Sequence, residues 1–222
     1  MMNGDMTRKQ REFFPLLDLP DFPAGKLVRR VLIAGTRPED LTIYLSAFAA
    51  VQGFDVLVAD GANAFDPYIV SRFARNEGFP PDELLKKIWI ARAFTCHQLA
   101  TLVRERLEAR ASAEKASLIV LLGPCTLFLD EDVPGEEAVL LFRKTLASVQ
   151  KMSRRGIFFL MSQSFSRVNK KRSFLLRELT GAAEAVLKLK PEADTLQVVM
   201  DKPPMILRKP WEVFEGFKGL QP

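Results

Sequence analysis

From Arg30 onward, short apolar runs alternate with stretches whose apolar residues recur every three or four positions. The runs VLIAG, DVLVADG, IWIARAF, SLIVLLG and IFFLMSQS read as buried strands. Between them, 38–52, 66–78, 96–113 and 135–155 read as helices. In the third helix Leu99, Leu102, Val103 and Leu107 share a face, but Arg106 and Arg110 interrupt it and predict partial burial. In the fourth, Ala138, Leu141, Phe142, Thr145, Val149 and Met152 form a continuous stripe that should pack on the sheet. Alternation of this kind predicts βαβ units: an α/β fold with a mostly parallel sheet and helices on both faces. After Ser164 a polar, basic stretch leads to AEAVLKLK and TLQVVMDK, joined by PEAD, which predicts a C-terminal β-hairpin. Residues 1–27 lack periodicity and are broken by Pro15, Pro20 and Pro23, so they read as an N-terminal arm. The remainder, 28–222, reads as a single domain whose tail fits no element.

Bulk composition narrows this only slightly. With 222 residues and 48% hydrophobic content the chain can bury a sizeable core. No apolar run approaches the roughly 20 residues of a membrane-spanning helix, and MMNGDMTRKQREFF has no apolar segment of a secretory signal. A cytoplasmic protein with no membrane association is expected. Cys96 and Cys125 lack disulfide or zinc spacing and read as small core residues. The net charge of +5 is modest.

Chemistry is suggested first by VLIAGTRPEDLT. Gly35 followed by Asp40, Leu41 and Thr42 has the spacing of GxxxxGK[ST], in which glycine admits backbone N–H groups to phosphate, lysine meets the phosphate oxygens and a hydroxyl holds magnesium. Here Leu41 replaces the lysine, and Glu39 and Asp40 would repel a triphosphate. Thr36 with Glu39 fits a capping box, and Pro38 suits a first turn. The local residues therefore favour a capped helix start over nucleotide binding.

The order of motifs resembles the RecA/RadA recombinase superfamily over about residues 25–204. DGANAFDPYIVSRFARNEGF resembles that family's segment after the second strand, and IWIARAFTCHQLATLV its Ala-Arg-Ala strand and His-Gln helix start. SLIVLLGPCTLF stands at the Walker B strand, and IFFLMSQS at the strand ending in Thr-Asn-Gln. The resemblance implies a RecA-like P-loop-type core. It also assigns the chemical positions: Leu41 at the P-loop lysine, Ala62 at the glutamate that positions water, Leu122 at the Walker B aspartate and Gln163 at the sensor glutamine. With three parts of the phosphoryl-transfer machinery replaced, no catalytic residue and no ATP hydrolysis are expected, and ATP with magnesium is disfavoured as a cofactor. Asp60 reads as structural.

His97 is the sole histidine, so a histidine metal cluster is excluded within one chain, and a capping or core role is expected. Asp130, Glu131, Asp132, Glu136 and Glu137 read as a solvated loop and an acidic helix start. Between residues 151 and 180 lie eight basic residues against the single acid Glu178, a net of +7. Its SRVNKKRS portion stands at the second DNA-binding loop of the recombinases. Arg167, Lys170, Lys171 and Arg172 are thereby candidates for phosphate contact, and Phe165 and Phe174 for stacking on bases. The expected function is an ATPase-inactive accessory protein of DNA repair or recombination, acting through DNA or a RecA-like or repair partner. The alternatives are a non-catalytic interaction scaffold, with homo-oligomers possible in principle, and a nucleotide-binding ATPase with altered phosphate contacts.

Overall fold

The computed structural model describes residues 28–114, 118–165, 172–191, 195–201 and 204–210. Eight strands form one sheet in the order β3-β2-β4-β5-β1-β6-β7-β8. They are β1 (Arg30–Gly35), β2 (Val56–Asp60), β3 (Ile88–Arg92), β4 (Leu118–Leu122), β5 (Phe158–Gln163), β6 (Ala185–Pro191), β7 (Thr195–Asp201) and β8 (Pro204–Pro210). β1 to β6 are parallel, and β7 and β8 then pair antiparallel in succession.

Strand alternation divides the core into two layers. Val31, Ile33, Val56, Val58, Val120 and Leu160 face one side, beneath α1 (Pro38–Val51), α2 (Pro67–Asn76) and α3 (Pro81–Leu85). Leu32, Leu57, Ala59, Ile119, Leu121 and Met161 face the other. That second face is covered by a long irregular helix, by α6 (Gly135–Arg154) and by α7 (Phe174–Ala182). Both faces being covered explains why the inner strands β1, β2, β4 and β5 read as apolar runs. α1 is buried on nearly every side, because it lies on the sheet and α2 and α3 lie on it.

The irregular helix consists of α4 (Cys96–Thr101), a π-helical stretch from Leu102 to Leu107 and α5 (Glu108–Glu114). Widening to i→i+5 bonding moves the register of the apolar face. Leu99, Val103, Leu107 and Ala111 consequently fall inside and Arg106 outside, where a regular helix would have put the arginine into the stripe. Arg110 lays its guanidinium over Trp89 of edge strand β3 at 4.9 Å. Burial of this face is thus fuller than the two arginines suggest.

Three elements had no counterpart in the sequence pattern: α3, α7 and β8. α7 begins directly beyond the basic stretch and buries Leu175, Leu179 and Ala182. β8, from the unassigned tail, is an outer strand with proline at each end, a position that tolerates a missing ladder donor. The N-terminal arm, 1–27, lies outside the described residues, as does the link between β6 and β7. Among the described residues no helix is long and apolar enough to cross a membrane.

Candidate functional site at the carboxyl ends of the strands

Open parallel sheets present ligand sites beyond their carboxyl ends, because there the strands hand over to helix-bearing loops. In this sheet the ends of β2, β4, β5 and β1 are successive neighbours. Asp60 is in register with Leu122, Leu122 with Ser162, and Ala34 with Gln163. The positions singled out at 35–42, 62, 122 and 163 therefore collect along one rim, although up to 128 residues separate them in sequence.

The turn after β1 is short. Only Thr36 and Arg37 separate Gly35 from α1, so positions 38–40 already belong to the first helical turn. Pro38 has no N–H to offer, and the Asp40 N–H donates to the Arg37 carbonyl at 3.2 Å. The N-cap is Arg37, left-handed at φ 44° and ψ 50°, with no side-chain cap. The expected Thr36–Glu39 capping box is not formed. Its glutamate is occupied elsewhere: the Glu39 carboxylate accepts from its own N–H and from that of Ser164 beyond β5. Asp40 pairs with Arg37, one helical turn back.

Burial pushes the Glu39 carboxyl above its ordinary range, with Asp40 and Asp60 adding repulsion against the two N–H groups. Burial likewise raises Asp40, opposed chiefly by Arg37. A carboxyl raised in the folded state makes that state bind more protons between the ordinary and the raised value. Stability from these groups therefore falls as pH rises through that window. Glu39→Gln, whose oxygen still accepts from Ser164, should melt higher than the parent at neutral pH. The difference should close as pH drops below the ordinary carboxylate range. Thermal melts of both proteins from acid to neutral pH check this, and a gap that is constant with pH would count against it.

Leu41 is fully buried in the α1-side core. Thr42 is equally buried, and its hydroxyl donates to the Pro38 carbonyl at 2.8 Å. Leu122 is also sealed in that core, whereas Ala62 is half-buried in the loop after β2. Gly123, at φ +62°, abuts Ala62, and an added Cβ would lie 2.6 Å from the Ala62 Cβ. Gln163 is buried and occupied at both ends: Oε1 accepts from the Cys125 N–H at 2.9 Å, and Nε2 donates to Thr126 Oγ1 at 3.2 Å and to the Ser164 carbonyl at 3.1 Å. It ties β5 to the loop after β4.

Asp60 has a clear structural task. It has no exposed surface, and it accepts from the N–H groups of Ala62, Ala64 and Phe65 and from Arg92 Nε at 3.0 Å. Arg92 also donates to the Phe65 carbonyl. Together they shape the loop from Gly61 to Asp66 and deliver Asp66 as the cap of α2, where it accepts from the Tyr68 N–H at 2.8 Å. Arg92 was not singled out in the sequence; its signal was the arginine closing IWIAR beside an acid-ended strand.

The DNA-binding candidates divide. Arg167, Lys170 and Lys171 lie outside the described residues. Arg172 is turned inward: it donates to the carbonyls of Phe128, Asp130 and Val133, bracing the loop before α6. That use competes with phosphate contact. Phe174 is half-buried against the second core layer, which leaves little of its ring for stacking, and Phe165 is half-buried. The large exposed aromatics at this end are Tyr68 and Phe94, neither of them a candidate from sequence.

His97 neither caps nor enters the core. Thr95 caps α4 by accepting from the Gln98 N–H, while exposed His97 meets Glu137 of α6 at 2.8 Å. Cys96 and Cys125 are buried and free, and burial pushes the Cys125 thiol up to about 12. Asp130 accepts from the Asp132 N–H in an exposed loop. Among the described residues no group of three or more His, Cys, Asp or Glu is arranged to hold a metal. No protein-family model matches the chain.

Proposed function

We propose that this chain is an ATPase-inactive, RecA-like accessory protein that works in DNA repair or recombination by contacting DNA or a repair partner. One observation carries the reading. The four positions at which the motif order locates nucleotide chemistry meet on one rim of adjacent strands, and each is filled by an apolar or internally bonded group. Parallel strands all end on this rim, so the support comes from the order of the motifs along the chain and from the groups that fill these four positions.

The same contacts favour the loss of triphosphate binding over altered binding. An incoming phosphate would meet Pro38 without a donor and the carboxylates of Glu39 and Asp40, with no lysine to offset them. Calorimetry with ATP and magnesium should give no binding heat, and saturable micromolar binding would overturn this part. Labelled single-stranded DNA titrated at two salt concentrations tests the other part, since absence of binding at low salt leaves DNA out of the function.

A second reading, a protein-interaction scaffold, is favoured by Tyr68 and Phe94, which are 75% and 68% exposed near the ends of neighbouring strands β2 and β3. It predicts an oligomer, or a complex with a RecA-like protein, in light scattering. A persistent monomer that fails to associate counts against it.

A further inference from the structure

On the second face of the sheet, away from the nucleotide-like rim, α6 and the π-helical segment lie side by side. Their outer surface carries Arg104, Arg106, Lys144, Lys151, Arg154 and Arg155 against Glu105 and Glu108. One carboxylate oxygen of Glu108 is shared by Lys151 at 2.8 Å and Arg155 at 2.7 Å, so a single acid ties two cations across the helix pair. Arg106, Lys144 and Arg154 are exposed and have no hydrogen bond or ion pair among the described residues.

We infer that this ridge is a second nucleic-acid surface, one that binds the sugar–phosphate backbone without reading bases. Cations in a last helical turn complement the helix dipole, which accounts for Lys151, Arg154 and Arg155. It does not account for Lys144 in mid-helix or for Arg104 and Arg106 on the neighbouring element. Arg106 reaches the surface only because the π-helical stretch turns it out of the apolar face. From Lys144 to Arg155 the helix rises roughly 16 Å, the axial length of about five nucleotides of one strand. The exposed aromatics Tyr68 and Phe94 belong to the carboxyl end of the sheet, Ala147 occupies the exposed position between Lys144 and Lys151, and the one large apolar side chain exposed on α6 is Leu140, one turn before Lys144. Protein partners are usually anchored by buried aromatic or apolar groups. Six cations with a single exposed leucine at one end of the line, and no aromatic side chain among them, suit a partner of uniform negative charge. The surface does not depend on the nucleotide-like rim.

Fluorescence anisotropy of the full chain with a labelled single strand, and with a duplex of equal length, tests the ridge. The triple variant Arg106→Gln, Lys144→Gln, Arg154→Gln removes side chains with no described partner, so its melting temperature should match the parent. It should bind both probes at least tenfold more weakly at about 50 mM salt, with the slope of log affinity against log salt reduced by about 2 to 3. The variant Arg167→Gln, Lys170→Gln, Lys171→Gln should retain that salt-dependent binding in part. Unchanged binding by the ridge variant overturns the inference, whether or not the loop variant loses binding. So does failure of the parent chain to bind either probe at low salt. Competition by poly-glutamate equal to that by DNA of matched charge would also overturn it, marking an acidic-protein surface instead.

Discussion

Gly35→Ala should leave the protein largely unfolded at temperatures where the parent is folded. A Cβ at this position would lie 2.3 Å from the carbonyl oxygen of Leu189 and 2.9 Å from its nitrogen, both of them backbone atoms of β6. Flexible side chains yield to such a clash, but a paired strand does not. β6 is held in parallel register with β1 and, on its other side, by β7. The backbone at Gly35 also sits at φ +115°, where an L side chain is strained whatever the surrounding space. Strain and overpacking together cost about 4 kcal/mol, a large share of the 5–15 kcal/mol that holds an ordinary domain. Chemical denaturation of the variant beside Thr36→Ala, at an exposed neighbouring position, measures the difference. A Gly35→Ala midpoint within error of the parent would show that β6 can withdraw. The result bears on the reading of the first strand, because here the glycine admits a neighbouring strand's backbone, not a phosphate.

That dual use explains which parts of the structure were legible in the sequence. Of the five strands from VLIAG to IFFLMSQS, the four inner ones stand out because both faces of the sheet are covered, so nearly every position along them is apolar, while edge strand β3 is only partly buried. α2, the irregular helix and α6 stand out by an apolar stripe, and α1 by being apolar on nearly every side. α7 is hidden because Leu175 and Leu179 follow directly on a basic run, and β8 because its prolines resemble a breaker until an outer strand is considered. The site was legible as positions and not as contacts. Spacing could bring 35–42, 62, 122 and 163 into one alignment. It could not foresee that Glu39 would turn to Ser164, that Gln163 would be spent on Cys125 and Thr126, or that Arg172 would close on three carbonyls. Each depends on a partner at least 37 residues away, and no local pattern encodes that. Asp60 was the exception. Its partners at Ala62, Ala64 and Phe65 are local, and its structural role could be read directly.

Leu41→Lys, which restores the residue of a working phosphate loop, should damage the protein and recover no ATP turnover. Leu41 has no exposed surface and packs in the core beneath α1, among residues that include Leu122. The substitution removes a buried leucine and puts an ammonium in its place. Lost packing and desolvation together cost about 4 kcal/mol even if the stem bends toward solvent. Glu39 and Asp40 are the nearest acids in sequence, but Glu39 is committed to backbone N–H groups and Asp40 to Arg37, so neither is placed to receive the charge without giving up a partner. Folding should therefore depend on pH in the direction of a buried base, with stability lost as the pH falls and the lysine is forced to ionise. Any protein that does fold would still have alanine at position 62, leucine at 122 and no donor at Pro38. Calorimetry with ATP and magnesium should stay flat, and phosphate release should remain at the background rate. Turnover in this single variant would mean that the rim still forms a phosphate cradle, and the reading of a lost nucleotide site would have to be given up. Destabilisation without turnover is the expected outcome, because the side chain at this position belongs to the core.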